Sequence, residues 1–208
     1  MELEFITIAT EERLGLQRLV ASAKYFGFSS IVAGLGEIFP GYGWKFKRML
    51  TVARDSRADL ILFADAYDSI CLAPASDVLA KFSALGHPIV FSHEPDPRPE
   101  VFLHLNSGLM IAERGALLDL FTDELLADFL PDHFNDQLQL QALMSWDPAP
   151  FSLDERASLF WTHSAARHLP ENFSACLVHG PHSADLSSFE DHLRQRGVTW
   201  PVQPLTPV

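Results

Sequence analysis

The chain opens on an apolar block, "LEFITIAT" (3–10), rich in β-branched and aromatic residues, which predicts a first strand. In "EERLGLQRLVASAKYFG" (11–27) the apolar residues Leu14, Leu16, Leu19, Val20, Ala23 and Phe26 fall close to helical spacing and stop at Gly27. The alternation then repeats. "SSIVAGL" (29–35) predicts a strand, "WKFKRMLTVARDS" (44–56) a helix and "DLILFA" (59–64) a fully buried strand. "SDVLAKFSAL" (76–85) predicts a helix opened by a Ser or Asp cap and stopped at Gly86, and "PIVFS" (88–92) another strand. Further along come a strand (107–112), helices over 114–130 and 134–144, short strands near 149–154 and 157–162, a strand over 174–180 and a closing helix over 187–196.

Strands that alternate with helices, several of them apolar throughout, predict an α/β domain with a mostly parallel sheet. In such sheets the ligand crevice lies outside the carboxyl ends of the strands. Thr10, Asp65, Asn106 and His179 all fall at or near strand ends. The 208 residues, 48% hydrophobic, carry no linker or repeat, so one domain over 1–208 is expected. The proline-rich "HEPDPRPE" (93–100) reads as an internal loop.

Charge narrows the function. With 15 Lys and Arg against 27 Asp and Glu, the net charge is −12, and such a surface repels a nucleic-acid backbone. A polyphosphate ligand would be repelled too, unless a cation sits between it and the protein. The opening "MELEFITIAT" lacks the basic n-region of a signal peptide, and no apolar run reaches the roughly 20 residues of a membrane helix. The expectation is a cytoplasmic chain with no membrane span, whose two cysteines, Cys71 and Cys176, are reduced core thiols.

The segment with most chemistry is "LFADAYDSIC" (62–71). After a buried strand, Asp65 and Asp68 can point at one cation while Tyr67 offers a flat ring to a base or sugar. Oxygen ligands suit Mg²⁺ or Mn²⁺, and an added imidazole favours Mn²⁺. Equally, Asp is common in turns, where it bonds its own backbone. His179 closes "ACLVHG" (175–180) and is either a cleft residue or an ordinary hydrogen-bonded histidine. Asn106 in "HLNSGLMIA" (104–112) either reads sugar hydroxyls or caps the strand entry. Asp136 is a helix-start carboxylate or a catalytic one. "GYGWKFK" (41–47) sets glycines before a helix with Lys45 in its first turn, a combination that favours anions but matches no P-loop.

Taken in order, these segments resemble one family: the glycosyltransferase domain of the procollagen-lysine hydroxylase/glycosyltransferases (the multifunctional lysyl hydroxylases), with its single-domain relatives. "ITIATEERLGLQRLVASAKYFGF" is similar to the family's first strand and helix, and "LILFADAYDSI" to its "FxDxYDVI" metal motif. "PIVFSHE", "HLNSGLMIA", "NDQLQL" and "LVHG" follow in the family's order, with a shorter loop after "FSHE". The resemblance implies a GT-A-type (Rossmann-like) fold that binds a UDP-sugar through Mn²⁺ or Mg²⁺. It implies Asp65, Asp68 and His179 as metal ligands, and Ile8, Ala9 and Thr10 as the uridine-contacting strand end. Ala66 and Tyr67 then pack on the uracil, Lys45 is the helix-start lysine, and Asp136 with Asn106 serves transfer.

The resemblance has gaps. The family's "HGNGPTK" reads "HGPHSAD" here, which sets His182, Ser183, Ala184 and Asp185 where the diphosphate is contacted, with an aspartate in place of a lysine. The penultimate aspartate of its poly-Asp run is Asn135, and its "CWP" gate is missing. The implied function is transfer of a hexose (galactose or glucose) from a UDP-sugar to an unidentified hydroxyl acceptor. The alternative is a catalytically inactive nucleotide- or sugar-binding or interaction module of the same fold.

Overall fold

The computed structural model describes residues 1–94, 104–163, 173–181 and 184–200. The elements run β1 (Leu3–Ile8), α1 (Leu14–Tyr25), β2 (Ser30–Ala33), α2 (Tyr42–Asp55), β3 (Leu60–Ala64), β4 (Ser69–Cys71), α3 (Ala75–Leu85), β5 (Ile89–His93) and β6 (Leu105–Glu113). After these come α4 (Arg114–Leu120), α5 (Asp123–Phe129), α6 (Asp136–Trp146), β7 (Phe151–Asp154), β8 (Phe160–Thr162), β9 (Leu177–His179) and α7 (Ser187–Gln195).

Six strands form the main sheet in the order β2-β1-β3-β6-β5-β7. All neighbours pair in parallel except across β6, which runs antiparallel to both β3 and β5. Every residue of β3 is buried, because the sheet is covered on both faces. The two-residue period splits that strand: Leu60, Leu62 and Ala64 enter the apolar cluster with Leu19, Val78 and Phe82. Ile61 and Phe63 enter the opposite cluster with Phe46, Met49, Leu117 and Leu143. The α/β expectation, helices flanking a mostly parallel sheet, therefore holds.

Two local readings differ. The helix expected over 114–130 is two helices, since Thr122 accepts a hydrogen bond from the Leu125 amide (3.3 Å) and starts a new one. α3 begins at Ala75 with Pro74 at its N-cap, so neither Ser76 nor Asp77 caps it. Its stop at Gly86 is as expected, with φ of 69°. Residues 69–71 form β4 in a second sheet of order β4-β9-β8. β4 pairs antiparallel with β9, so that Ser69 faces His179.

Those strand directions build the site. Because β6 runs against β3, its first residues lie beside the end of β3, and the Asp65 amide donates to the Gly108 carbonyl (2.8 Å). Through β4 and β9, the Gly180 amide donates to the Asp68 carbonyl (2.8 Å). Three distant segments thus converge on one turn. Both cysteine thiols are buried and free. Among the described residues no helix is long and apolar enough to cross a membrane.

Candidate active site

Asp65 and Asp68 project from the turn between β3 and β4, and His179 reaches them from the end of β9. Their candidate ligand atoms all lie within 4.8 Å of one another. The His179 Nε2 is 3.3 Å from Asp68 Oδ1 and 3.7 Å from Asp65 Oδ2. The imidazole is 3% exposed.

Its tautomer follows from its neighbours. Asn106 Nδ2 donates to Glu94 Oε2 (2.8 Å) and the Gly108 amide donates to Asn106 Oδ1 (2.9 Å), which fixes the amide's orientation. His179 Nδ1 lies 2.8 Å from that same oxygen, so Nδ1 carries a proton and donates it. Nε2 is then left buried without a hydrogen-bond partner, facing two carboxylates. A lone pair there is tolerable only with a cation between, either a proton or a metal ion. Burial opposes charge on the ring, but the Asp68 and Asp65 carboxylates outweigh it and raise the His179 pKa. Two carboxylates and an imidazole oriented by a second residue fit a hard divalent cation that tolerates nitrogen.

Gly108 makes the arrangement sterically feasible. A Cβ there would lie 2.2 Å from His179 Cε1 and 2.4 Å from its Nδ1. The glycine of "NSGL" is thus the floor on which the imidazole rests.

Beside the trio is a buried ion-pair group. Lys45 Nζ donates to Asp65 Oδ1 (2.7 Å) and lies 3.2 Å from Asp136 Oδ2. Burial disfavours the ammonium, yet these two carboxylates keep Lys45 charged, above its ordinary pKa. Asp65 is pushed the other way from an ordinary ion-paired acid. Burial raises its pKa, and the neighbouring Asp68 and Asp136 carboxylates offset part of what Lys45 and His179 contribute. Asp68 is also penalised by burial, but His179 and Lys45 hold it below the usual carboxylate range. The corner carries more negative charge than its own side chains neutralise.

Asp136 is the first residue of α6, while Asn135 is the N-cap and accepts from the Leu138 amide (3.1 Å). The capping role weighed for Asp136 therefore belongs to Asn135. Asp136 turns inward, where its Oδ1 accepts from Ser107 Oγ (3.1 Å) and the Gln137 amide (2.8 Å). The "GYG" glycines do not cradle an anion. Gly43 and Trp44 amides donate to the Phe134 and Asp132 carbonyls, and a Cβ on Gly43 would meet the Pro131 oxygen at 2.1 Å. They let α2 dock on the loop before α6, which is what brings Lys45 to Asp136.

Two cavities meet at this corner. One, of about 500 Å³, is lined by Ile8, Thr10, Phe39, Lys45, Ala66 and Tyr67 among others. The other, of about 280 Å³, is lined by Glu94, Asn106, Asp136, Gln137, Asp65, Asp68 and His179. Ile8, Thr10, Ala66 and Tyr67 are thus together in the first, as the resemblance implies. Ala9 is buried against Leu16 and Ala66 and supports that wall. The Tyr67 hydroxyl accepts from the Thr10 and Glu11 amides and donates to the Glu11 carbonyl, each at 3.1 Å. Asp185 is exposed and accepts from the Ser187 amide (2.9 Å) at the start of α7, which lowers its pKa. His182, Ser183 and the segment after Glu94 lie outside the described residues.

Several residues of consequence carry no local signal. Arg18, inside α1, donates to the Tyr67 carbonyl (3.1 Å) and to Glu190 of α7 (2.6 Å). Gly15 lets α1 touch the same turn, since a Cβ would lie 1.9 Å from the Tyr67 oxygen. Ser22 accepts from the Cys71 amide (3.1 Å). One helix therefore braces the turn after β3 at Tyr67 and strand β4 at Cys71. Arg18 reads in sequence as one more charge on a helix, because its partner Glu190 lies 172 residues away.

The family profile of the PLOD GT domain matches residues 1–160. Procollagen-lysine,2-oxoglutarate 5-dioxygenase 1 of Bos taurus is 35% identical over 108 residues, covering 46% of this chain and 15% of the relative. The multifunctional procollagen lysine hydroxylase and glycosyltransferase of Caenorhabditis elegans is 37% identical over 92 residues, covering 39% and 13%. The chain thus aligns with only a small part of these longer relatives. Among solved structures, a glycosyltransferase involved in glycosylation of the major capsid of PBCV-1 superposes with a TM-score of 0.61 at 13% identity. That match covers 93% of this chain and all of the neighbour, and at such identity it shows the fold alone. Staphylococcus aureus TarS 1-349, solved with UDP, superposes with a TM-score of 0.50 at 13% identity over 74% of this chain and 57% of TarS. The fold is that of the GT-A glycosyltransferases, and the chain belongs to the glycosyltransferase-domain family of the procollagen-lysine hydroxylases.

Proposed function

We propose that this protein is a metal-dependent glycosyltransferase that moves a hexose, galactose or glucose, from a UDP-sugar to a hydroxyl acceptor. The observation that carries the reading is the buried His179 Nε2, without a hydrogen-bond partner and aimed at Asp65 and Asp68 where the two cavities meet. Mn²⁺ or Mg²⁺ held by these three groups would supply Lewis-acid neutralisation of the departing diphosphate. UDP in a neighbour of the same fold supports the nucleotide half of the reading.

The chain's own residues divide the work. Ile8, Ala9, Thr10, Ala66 and Tyr67 form the wall for the uridine, with the Tyr67 ring locked by its hydroxyl. Lys45 keeps Asp65 and Asp136 from repelling each other and adds positive charge where the phosphates arrive. Both Asp136 oxygens are already occupied, by Ser107, Gln137 and Lys45, so Asp136 fits electrostatic support and positioning better than proton abstraction. Asn106 is spent on Glu94, Gly108 and His179; its part in transfer is to hold the imidazole rather than to read the sugar.

The rival is a module that binds without turnover, favoured by Asp185 standing where the family has a lysine. Release of UDP from UDP-galactose and UDP-glucose, measured with and without Mn²⁺, separates them. Metal-dependent release from one donor is expected. No release from any donor, together with no Mn²⁺-dependent rise in melting temperature, overturns the enzyme reading.

A further inference from the structure

Arg13 precedes α1 at the mouth of the larger cavity, and its Cζ lies 5.0 Å from the centroid of the Tyr67 ring. Its Nε and Nη2 both donate to Glu11 Oε2, at 2.9 and 2.7 Å. The side chain is 60% exposed and its partner Glu11 63%. An ion pair in that much water holds its partners weakly. The ring beneath cannot turn away, because its hydroxyl is tied to the backbone of residues 10 and 11. Arg13 and Lys45 are the two cationic side chains among the described residues lining this cavity, and Lys45 is buried between carboxylates.

We propose that Arg13 is a donor-binding residue that closes over the nucleotide base, which lies between the Tyr67 ring and the guanidinium plane. The inference rests on the reading of this cavity as the nucleotide site. A guanidinium is flat and weakly hydrated, so it stacks on a π-face as an ammonium does not. Flat bases are held between aromatic rings and guanidinium planes in the same way elsewhere. Two van der Waals layers need about 7 Å, so Arg13 lifts about 2 Å from its present 5.0 Å and exchanges the Glu11 carboxylate for the base. The contact is to the base alone. Arg13 therefore adds affinity without reading phosphate or sugar.

The test compares UDP with uridine, both in saturating Mn²⁺, by titration of the full chain and of Arg13→Ala and Arg13→Lys. The exposed position predicts unchanged melting temperatures for both variants. Expected is an equal loss for the two ligands in Arg13→Ala, roughly 3- to 30-fold, with little recovered by Arg13→Lys. Binding of both ligands as tight as in the original protein overturns the proposal. So does a loss confined to UDP and restored by Arg13→Lys, which would make Arg13 a phosphate contact. If the original protein binds neither ligand, the nucleotide reading itself falls and this inference with it. Loss in the variant alone cannot be confused with that result.

Discussion

The carboxylate–histidine corner and the exposed apolar wall of the same cleft are built on opposite plans. At the corner, His179 and Asp136 are each 3% exposed; His179 Nδ1 and both Asp136 oxygens have internal partners, while His179 Nε2 faces Asp65 and Asp68 without a hydrogen bond. In the larger cavity, besides the locked Tyr67, an apolar wall is left open to solvent: Ile38 is 88% exposed and Phe39 46%. The corner needs fixed geometry, because electrostatic stabilisation depends on charges already in place when the reaction charge develops. The wall needs only a flat apolar surface, and it can adjust. Residues of the first kind are fixed by folding; those of the second would gain contacts only in the proposed complex.

Substitution at the corner tests that contrast most strongly. Gly108→Ala places a methyl group 2.2 Å from the His179 ring, whose Nδ1 is tied to Asn106. The imidazole must leave its position, so Mn²⁺ affinity should fall by more than about 100-fold, beyond the usual range for an outer-shell change. Titration of metal in the presence of UDP reads it. Unchanged affinity would show that His179 is not a ligand. Asn106→Ala keeps the space but removes the acceptor that fixes the tautomer, and a loss of about 10- to 100-fold is expected. Asn106→Asp retains the acceptor and should lose less; equal losses in both would make Asn106 a mere filler.

How far the sequence foretold these features depends on how local each cause is. Read alone, Asp65, Asp68 and His179 stay open between a cation site and ordinary turn or strand-end roles; the order of the motifs along the chain joins them, and the structure brings the three together. The direction of β6 is not legible, since an antiparallel strand has the same two-residue period as a parallel one. Asn106 reads in sequence as a sugar contact or a strand cap, and its contact with His179 leaves no local signal because the two are 73 residues apart. The break in the helix over 114–130 left a trace that outweighs helical spacing: Thr122 followed by two acids, Asp123 and Glu124, which is a helix start. Arg18 shows the limit most plainly. Nothing near it in sequence distinguishes a charge that braces the turn after β3 from one that faces water.

The wall supplies the smallest expected effect and the sharpest contrast. Ile38→Ser removes an apolar side chain that is 88% exposed, so the folded state loses almost no burial. Stability should stay within about 0.5 kcal/mol, read as an unchanged melting temperature without ligand. If a bound nucleotide covers even about 40 Å² of that side chain, the bound state loses ~1 kcal/mol, or about fivefold in UDP affinity. A corner substitution does the reverse, disturbing a packed group whether or not ligand is present. Should Ile38→Ser lower the melting temperature as far as Gly108→Ala does, the wall is part of the folded scaffold and the two-plan description fails. Should it change neither stability nor UDP affinity, the base lies elsewhere in the cleft, on the Tyr67 side alone.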